Sequence, residues 1–116
     1  MITRYAIFGG EVKDGKEAEM RAWVSEHLTP LWRKFACAQE VRVLYGMDQD
    51  AQGPNIPLIL AITYADRAAM EIGVNSPARH AAKALLPELY ARFYDRIELW
   101  HYLMDREQYF DEGVDP

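Results

Sequence analysis

The segment PLILAITY, Pro57 to Tyr64, decides the fold that this sequence predicts. It is almost wholly apolar, which is typical of a central β-strand that is buried on both faces. The polar segment MDQDAQGPNIP, Met47 to Pro57, comes before it and is rich in turn formers, and Asp66, a natural helix cap, follows it. The segment therefore predicts a strand inside a sheet, with a loop before it and a helix after it.

Three other segments have the composition or the alternation of strands. Ile2 to Val12 is rich in β-branched and aromatic residues, and both Glu40 to Tyr45 and Arg96 to Met104 alternate with a period of two. Together with Pro57 to Tyr64, they predict four strands.

The remaining periodic segments indicate helices. Lys16 to Phe35 carries an apolar stripe, and Pro30 inside it cannot donate a hydrogen bond to the carbonyl of Glu26, so we expect a kink there. Arg67 to Val74 forms a short helix after its cap. Ser76 is the expected cap of a further helical stretch, which starts with Pro77 and is expected to kink at Pro87.

The two helical stretches that follow Asp66 lie together between the third and fourth strands and count as one helical segment. The order is then strand, helix, strand, strand, helix, strand, which predicts an α+β fold of the ferredoxin-like β-α-β-β-α-β type. Right-handed crossovers place both helices on one face of a four-stranded antiparallel sheet. The strands nevertheless carry large apolar groups on both parities, with Phe8 against Ile7 and Trp100 against Leu99. A bare apolar sheet face needs a cover, and we expect a second copy of the chain to provide it in a symmetric homodimer.

Composition limits the possible partners. A chain of 116 residues is expected to form one domain, residues 1–104, followed by an acidic tail, residues 105–116. The net charge is −5 and basic runs are absent, so nucleic acid is not an expected partner. The first apolar run is too short for a signal peptide or a membrane span, and Cys37 is the only cysteine. We expect a cytoplasmic protein that does not bind membranes, with Cys37 buried as a small hydrophobe.

Three stretches make the sequence resemble the dimeric α+β barrel superfamily. They are AWVSEHLTPLWRKFACAQEVRVLYG from residue 22, ITYADRAAMEIGVNSPARHAAKALLPEL from residue 62 and RIELWHY from residue 96. The superfamily includes antibiotic-biosynthesis monooxygenases, ether-degradation proteins, stress-responsive barrel proteins and polyketide cyclases. The resemblance implies that two sheets close into a barrel across a dimer, and that a ligand pocket lies between each sheet and its own helices.

His101 and Tyr5 are the expected catalytic residues. The resemblance places His101 on the helix-facing side of the last strand, and the same argument places Tyr5 on that side of the first strand, which is its neighbour. An imidazole beside a phenol is suited to proton transfer near neutral pH. A buried histidine that bonds a tyrosine for structural reasons is the alternative.

Arg79 and His80 lie near the start of the second long helix. The cyclase-like branch of the superfamily carries a His-Pro-x-His motif, and here Ser76 and Arg79 stand at its two histidine positions. His80 lies one residue later, which turns it about 100° away, so we expect it to face solvent. Arg79 lies at the flank of the apolar stripe and is an expected substrate-binding residue.

Four aromatic or imidazole side chains are further candidates for substrate binding. Tyr64 ends the central strand on the pocket face, Tyr45 ends an edge strand, and Trp23 and His27 lie on the first helix. Tyrosine rings also pack against cores with their hydroxyls in water, and His27 is equally consistent with a boundary position.

Charged residues on the strands suggest an interface. Arg4, Arg42 and Glu98 are expected on the barrel-facing side of the sheet, where Arg4 and Glu98 would pair. The histidines at 27, 80 and 101 lack metal-binding spacing, and the chain has neither a phosphate loop nor a nucleophile elbow, so we expect no metal and no cofactor. Haem stays open as an alternative, because some members of the superfamily bind it, although the sequence specifies no axial ligand beyond a free histidine.

Two functions are consistent with these residues. The first is a cofactor-independent enzyme, of monooxygenase or cyclase type, that acts on an aromatic or polyketide-like compound. The second is a dimer without enzymatic activity that binds a small hydrophobic ligand or takes part in a stress response. The sequence does not decide between them.

Overall fold

A computed structural model describes residues 1–106 of the chain. The sheet strands are β1, β2, β3 and β4, and the helices are α1 to α4, with one π-helical turn between α1 and α2. Their bounds are β1 Ile2–Val12, α1 Glu17–Trp23, the π turn Val24–Leu28, α2 Thr29–Trp32, β2 Glu40–Tyr45, β3 Leu58–Tyr64, α3 Arg67–Val74, α4 Pro77–Phe93 and β4 Tyr94–Asp105.

The sheet has four antiparallel strands in the order β2-β3-β1-β4. The predicted ferredoxin-like fold is confirmed. The segment that predicted a central strand does form β3, which lies between β2 and β1 and is buried along almost its whole length. Both sides of β3 are apolar. One side packs against the helices, and the other side belongs to the opposite face of the sheet.

Proline shapes the first helical segment as the sequence predicts. The N–H of Thr29 donates to the carbonyl of Val24, five residues back, at the end of the π turn. Because Pro30 has no N–H for the carbonyl of Glu26, the ordinary α-helical ladder cannot continue, and a wider turn replaces it. The expected irregularity is therefore present, in the form of a π turn before α2.

The caps of the last two helices differ from each other. The carboxylate of Asp66 accepts a hydrogen bond of 2.8 Å from the N–H of Ala69, as predicted for a cap of α3. Ser76 does not cap α4 with its side chain, because its buried hydroxyl donates to the carbonyl of Gly73 at 2.6 Å instead. Helix α4 passes through Pro87 without a break, so the expected kink does not end the helix.

The hydrophobic core lies between the sheet and the helices. Its buried members come from one parity of β1 and β3, from the start of β4 and from the inner sides of the helices, including Phe8, Trp32, Leu60, Tyr64 and Leu89. Cys37 is exposed and has a φ of 64°, so the expectation of a buried cysteine is wrong. It follows the helical segment in a turn, where the chain reverses toward β2.

The second face of the sheet, here called the outer sheet face, is largely apolar. The register aligns Tyr5 with Tyr102, Ile7 with Trp100 and Thr3 with Met104 on this face. Ile59 and Leu44 belong to it through their pairing with Ile7 and with each other. None of these side chains belongs to the core cluster in the described part of the chain.

The predicted acidic tail lies mostly outside the described residues. Residues 107–116 of the predicted segment 105–116 are not among them. Within residues 1–106, no helix combines the length and the apolar character that spanning a bilayer requires.

Candidate functional site

The register of β1 against β4 decides which side chains face the helices. Ala6 lies opposite His101 and Phe8 lies opposite Leu99, and Phe8 is buried against Trp32 with ring centroids 6.2 Å apart. Because side chains alternate along a strand, Arg4 shares this face with Ala6 and Phe8. The helix-facing side of β1 and β4 therefore carries Arg4 and His101 together.

A cavity of about 180 Å³ lies on this side, between the sheet and α4. Strands β1, β3 and β4, helix α4 and the segment around α2 contribute to its wall. The lining residues are Arg4, Ala6, Phe8, Trp32, Phe35, Leu60, Arg79, Ala82, Lys83, Leu86, Leu99 and His101.

The cavity has a cationic end and an apolar end. Arg4 and Phe8 are separated by four residues of β1, or about 13 Å along an extended strand. Arg79 and Leu86 are separated by two turns of α4, or about 10 Å. Arg79 lies near Arg4, as its influence on that residue's pKa shows, so the charges collect at one end and the ring of Phe8 lies toward the other.

No carboxylate lines this cavity in the part of the chain that the structure describes. Arg4, Arg79 and Lys83 form none of the ion pairs found among residues 1–106. Burial lowers the pKa of Arg4, the nearby Arg79 lowers it further, and Tyr64 acts in the opposite direction. Within residues 1–106, the cavity therefore concentrates positive charge without a carboxylate in its lining to neutralise it.

His101 titrates below its ordinary range in this environment. Partial burial lowers the pKa of His101 from the ordinary value of 6.5, and the positive charges of Arg4 and Arg79 lower it further. The side chain lies on the edge strand β4 and is still exposed, so the imidazole is only partly desolvated. At neutral pH it is uncharged and can accept a proton.

The predicted pairing of Tyr5 with His101 is wrong. Tyr5 lies opposite Tyr102, and it points to the outer sheet face while His101 points to the helices. The error is one of parity: β1 has large apolar residues on both sides, and the burial of Phe8 against Trp32 sets its orientation. Tyr5 therefore lies on the outer sheet face and not in the cavity.

The expected pairing of Arg4 with Glu98 is wrong for the same reason. Arg4 faces the cavity, whereas Glu98 lies on the outer sheet face and pairs with Arg96. Arg42 is on the outer side as predicted, and it pairs with Glu40 at 3.0 Å on the same strand.

Arg79 and His80, near the start of α4, point in different directions, as the helical geometry predicts. Arg79 lines the cavity, and His80 is exposed and does not line it. Arg79 is therefore the residue of this pair that lines the same cavity as His101, and its role in binding stays a prediction.

Tyr64 faces the helices, but it does not line the cavity. The side chain is fully buried, and its hydroxyl has no hydrogen-bond partner among the described residues. Burial raises the pKa of Tyr64, and the neighbouring Arg4 partly opposes this. The phenol packs against Gly73, at the contact of α3 with the sheet.

Tyr45, Trp23 and His27 lie away from the cavity lining. The hydroxyl of Tyr45 donates to the carbonyl of Arg21 at 3.3 Å, and the guanidinium of Arg21 lies 5.2 Å from the centre of the Tyr45 ring. Trp23 is buried, and its ring packs at a tilt of 42° against that of His27, with centroids 5.1 Å apart, while His27 is itself exposed. The contacts of Arg21 hold α1 against β2, and the ring of Trp23 also lies 6.0 Å from that of Phe93 at the end of α4.

Sequence reasoning missed several members of the cavity. Lys83 and Leu86 follow Arg79 at spacings of four and seven, so one side of α4 carries all three. This helical spacing can be read from the sequence, and it would have placed Lys83 and Leu86 beside Arg79. Arg4 shares its parity with Ala6 and Phe8, but the sequence of β1 does not show which parity faces the helices. Trp32, which the sequence offers as one of several aromatic residues for an apolar pocket wall, does line the cavity.

A larger concavity of about 570 Å³ lies near the loop before β3, but its chemistry differs. Glu11, Asp14, Glu17, Asp48 and Asp95 contribute carboxylates to it. No group of three or more metal-binding side chains with suitable geometry occurs in residues 1–106. We regard the smaller cavity as the candidate site, because an apolar wall with a few converging polar groups is the usual form of a ligand pocket.

Comparisons with known proteins give the same fold and no close relative. No family model and no curated protein matches the sequence. A solved structure of a protein of the ethyl tert-butyl ether D (EthD) family from Bacillus halodurans superposes with a TM-score of 0.63 at 16% identity, covering 91% of this chain and 99% of that one. SnoaB, a cofactor-independent oxygenase from Streptomyces nogalater, gives a TM-score of 0.62 at 16% identity, covering 96% of this chain and 97% of that one.

A third solved structure, from Bacteroides fragilis, is described as a dimeric protein of unknown function with a ferredoxin-like fold. It gives a TM-score of 0.54 at 12% identity and covers 87% of this chain and 94% of that one. The chain shares the ferredoxin-like fold of these proteins. The resemblance inferred from the sequence is confirmed at the level of this fold, which supports many different activities.

Proposed function

We propose that this chain is a cofactor-independent enzyme, of monooxygenase or cyclase type, that binds a small aromatic or polyketide-like molecule in the cavity beside α4. One observation carries the proposal: His101, whose pKa is lowered, stands with Arg4 and Arg79 at one end of a cavity with an apolar wall. The ferredoxin-like fold that the chain shares with the oxygenase SnoaB supports it.

The first chemical step is proton abstraction. A ligand held against Phe8 and Trp32 presents an acidic C–H or O–H bond to the neutral imidazole of His101. The bond breaks, the proton moves to a ring nitrogen, and the electron pair stays on the ligand as an enolate or phenolate. A general base works best when its pKa lies near the operating pH.

The cationic end stabilises the product of that step. Arg4 on β1 and Arg79 on α4 line the same cavity as His101, so they can stabilise negative charge that develops on a ligand oxygen there. Preorganised positive groups in a partly dry site stabilise such charge more than water does. An enolate is also the reactive species in aldol-type ring closure, so the same site serves either type of enzyme.

A dimer that only binds its ligand is the second candidate, and one observation favours it. Neither Tyr5 nor any other hydroxyl stands beside His101 in the cavity lining, and no residue in the described range holds the imidazole with a hydrogen bond. Catalytic histidines are usually oriented by such a partner.

Deuterium exchange into 2-tetralone tests the proposed function. This bicyclic ketone has acidic C–H bonds next to its carbonyl, and exchange in heavy water requires proton abstraction without any oxidant. We expect the protein to accelerate exchange above a matched imidazole buffer, and His101→Gln to reduce the acceleration by about 10²- to 10⁴-fold.

The matched controls separate catalysis from binding. His80→Gln removes an exposed histidine outside the cavity and should leave exchange unchanged. Calorimetric binding of 2-tetralone should persist in His101→Gln. Binding without any acceleration by the native protein would favour the second candidate.

We also propose that the outer sheet face is the interface of a homodimer. Tyr102, Met104 and Leu44 expose 47%, 51% and 42% of their surfaces there. Each large apolar side chain that becomes buried contributes about 1.5–3 kcal/mol, so covering this face stabilises the protein considerably. The dimeric state described for the Bacteroides fragilis protein of the same fold supports a second copy as the cover.

A further inference from the structure

We propose that the natural ligand is an aromatic carboxylate of one or two rings, with its carboxylate at the cationic end of the cavity and its rings at the apolar end. This inference rests on the proposed function and names the class of ligand for that same site. It concerns the charge of the bound ligand before any reaction takes place.

The first argument is charge balance. Arg4, Arg79 and Lys83 bring three permanent positive charges to the cavity, and its lining contains no Asp or Glu. Arg4 and Arg79 line the same small cavity and repel each other, and neither forms an ion pair among residues 1–106. Other arginines of the chain, such as Arg92 with Glu88 at 2.7 Å, have their own carboxylate. An anion from outside removes this repulsion.

The second argument is the type of anion. A guanidinium presents a planar pair of N–H donors that matches a carboxylate, and two of them from different elements can hold one group from two sides. The rest of the wall consists of Ala, Leu, Phe and Trp side chains, which favour a flat apolar body. A free inorganic anion would leave this wall without a partner.

The third argument is size. A volume of about 180 Å³ lies below the range of roughly 300–1,000 Å³ that is usual for drug-sized ligands. The distance of about 13 Å between the levels of Arg4 and Phe8 accommodates one carboxylate and a short fused ring system. One carboxylate balances one of the three charges, so positive charge remains for the oxyanion that forms during proton abstraction.

A calorimetric comparison of 2-naphthoate with 2-naphthamide tests the inference. The two compounds have the same ring system, and only the first is charged at pH 7. We expect 2-naphthoate to bind at least tenfold more tightly at 150 mM salt, and Arg79→Gln to reduce this preference to less than about threefold. Arg4→Gln should act in the same direction, and thermal unfolding of both variants will show that they are folded.

Arg67→Gln provides the matched control, because it removes the same charge from an exposed position at the start of α3. If it lowers 2-naphthoate affinity as much as Arg79→Gln does, the attraction is a general effect of charge and the inference is wrong. Equal affinity of the two compounds would also overturn the inference while leaving aromatic binding intact. Binding of neither compound would overturn the inference together with the proposed function.

Discussion

At the scale of single residues, the chemistry of the site depends on the neighbours of His101. The histidine belongs to β4, Arg4 to β1, and Arg79 and Lys83 to α4, so three elements bring one imidazole and three positive charges to the same cavity. Partial burial and the two arginines favour the neutral form of the imidazole. The same arrangement leaves the cations ready for a negatively charged ligand.

We expect NMR titration to give a pKa of His101 below the ordinary value of 6.5. Removing a nearby positive charge should raise it, so Arg79→Gln is expected to shift the pKa of His101 upward. The signal can be assigned with His101→Gln. A native pKa at or above 6.5, or no upward shift in Arg79→Gln, would contradict the proposed electrostatics.

The same pKa shift has a consequence for stability. Because the pKa of His101 is lower in the folded protein than in the unfolded chain, its contribution is fully present above pH 6.5. This contribution to the free energy of unfolding is lost as the pH falls through the lower pKa that His101 has in the folded protein. The free energy of unfolding should therefore fall less in His101→Gln than in the native protein over this acidic range, as measured by urea titrations at several pH values.

Arg4 shows why residues of the site were difficult to predict. A charge on a strand is expected to point away from a core, because an unpaired buried charge is costly. Here the inward side of β1 is apolar at Ala6 and Phe8 but opens into a cavity at Arg4, so the charge is tolerated. Parity cannot be read from β1 alone, since Ile7 and Phe8 are both apolar.

At the scale of elements, close contacts position the helices against the sheet. A Cβ added to Gly73 would lie 2.6 Å from the carbonyl oxygen of Ala36 and 2.6 Å from the ring of Tyr64. The absence of a side chain therefore lets α3 approach the sheet where Tyr64 ends β3. The hydroxyl of Ser76, which bonds Gly73, holds the connection to α4 in the same place.

Gly73→Ala is expected to lower the free energy of unfolding by about 1–3 kcal/mol, because backbone and a buried ring must both move. Gly53→Ala is the control, since its added Cβ would come no closer than 3.4 Å to a neighbouring atom, which is an ordinary contact. Chemical denaturation of both variants measures the difference. If the two variants have the same free energy of unfolding, the contact of α3 with the sheet at Gly73 is looser than the structure indicates.

Elements were easier to predict from this sequence than their orientation. Strand β3 and helices α3 and α4 follow from apolar runs, periodicity and caps, and Pro30 signals the disturbance before α2. The side of β1 that faces the helices depends on the register with β4, which is a long-range property. Arg79 could be placed by the helical geometry of α4, whereas the side of Tyr5 depends on this register and was predicted wrongly.

At the scale of the whole molecule, the chain has an asymmetric sheet. One side packs against helices and forms the cavity, and the other side carries Tyr102, Trp100 and Met104 without a cover in residues 1–106. An apolar face of this kind is expected to meet another surface. The proposed dimer covers it while leaving each cavity on the far side of its own sheet.

We expect sedimentation to give a dimer at micromolar concentration, and Tyr102→Lys to give a monomer, because a charge at the interface is not paired. Ile72→Lys is the matched control, since Ile72 is 56% exposed on α3 and lies away from the outer sheet face. It should leave the dimer intact. A native monomer, or equal dissociation in both variants, would contradict the proposed interface.

The most direct test of the account is a crystal structure of the protein with 2-naphthoate. We predict that the naphthalene ring lies between α4 and the sheet against Phe8 and Trp32, and that the carboxylate contacts Arg4 or Arg79. A ligand bound in the acidic concavity near Glu11, or on the outer sheet face with this cavity empty, would contradict the account.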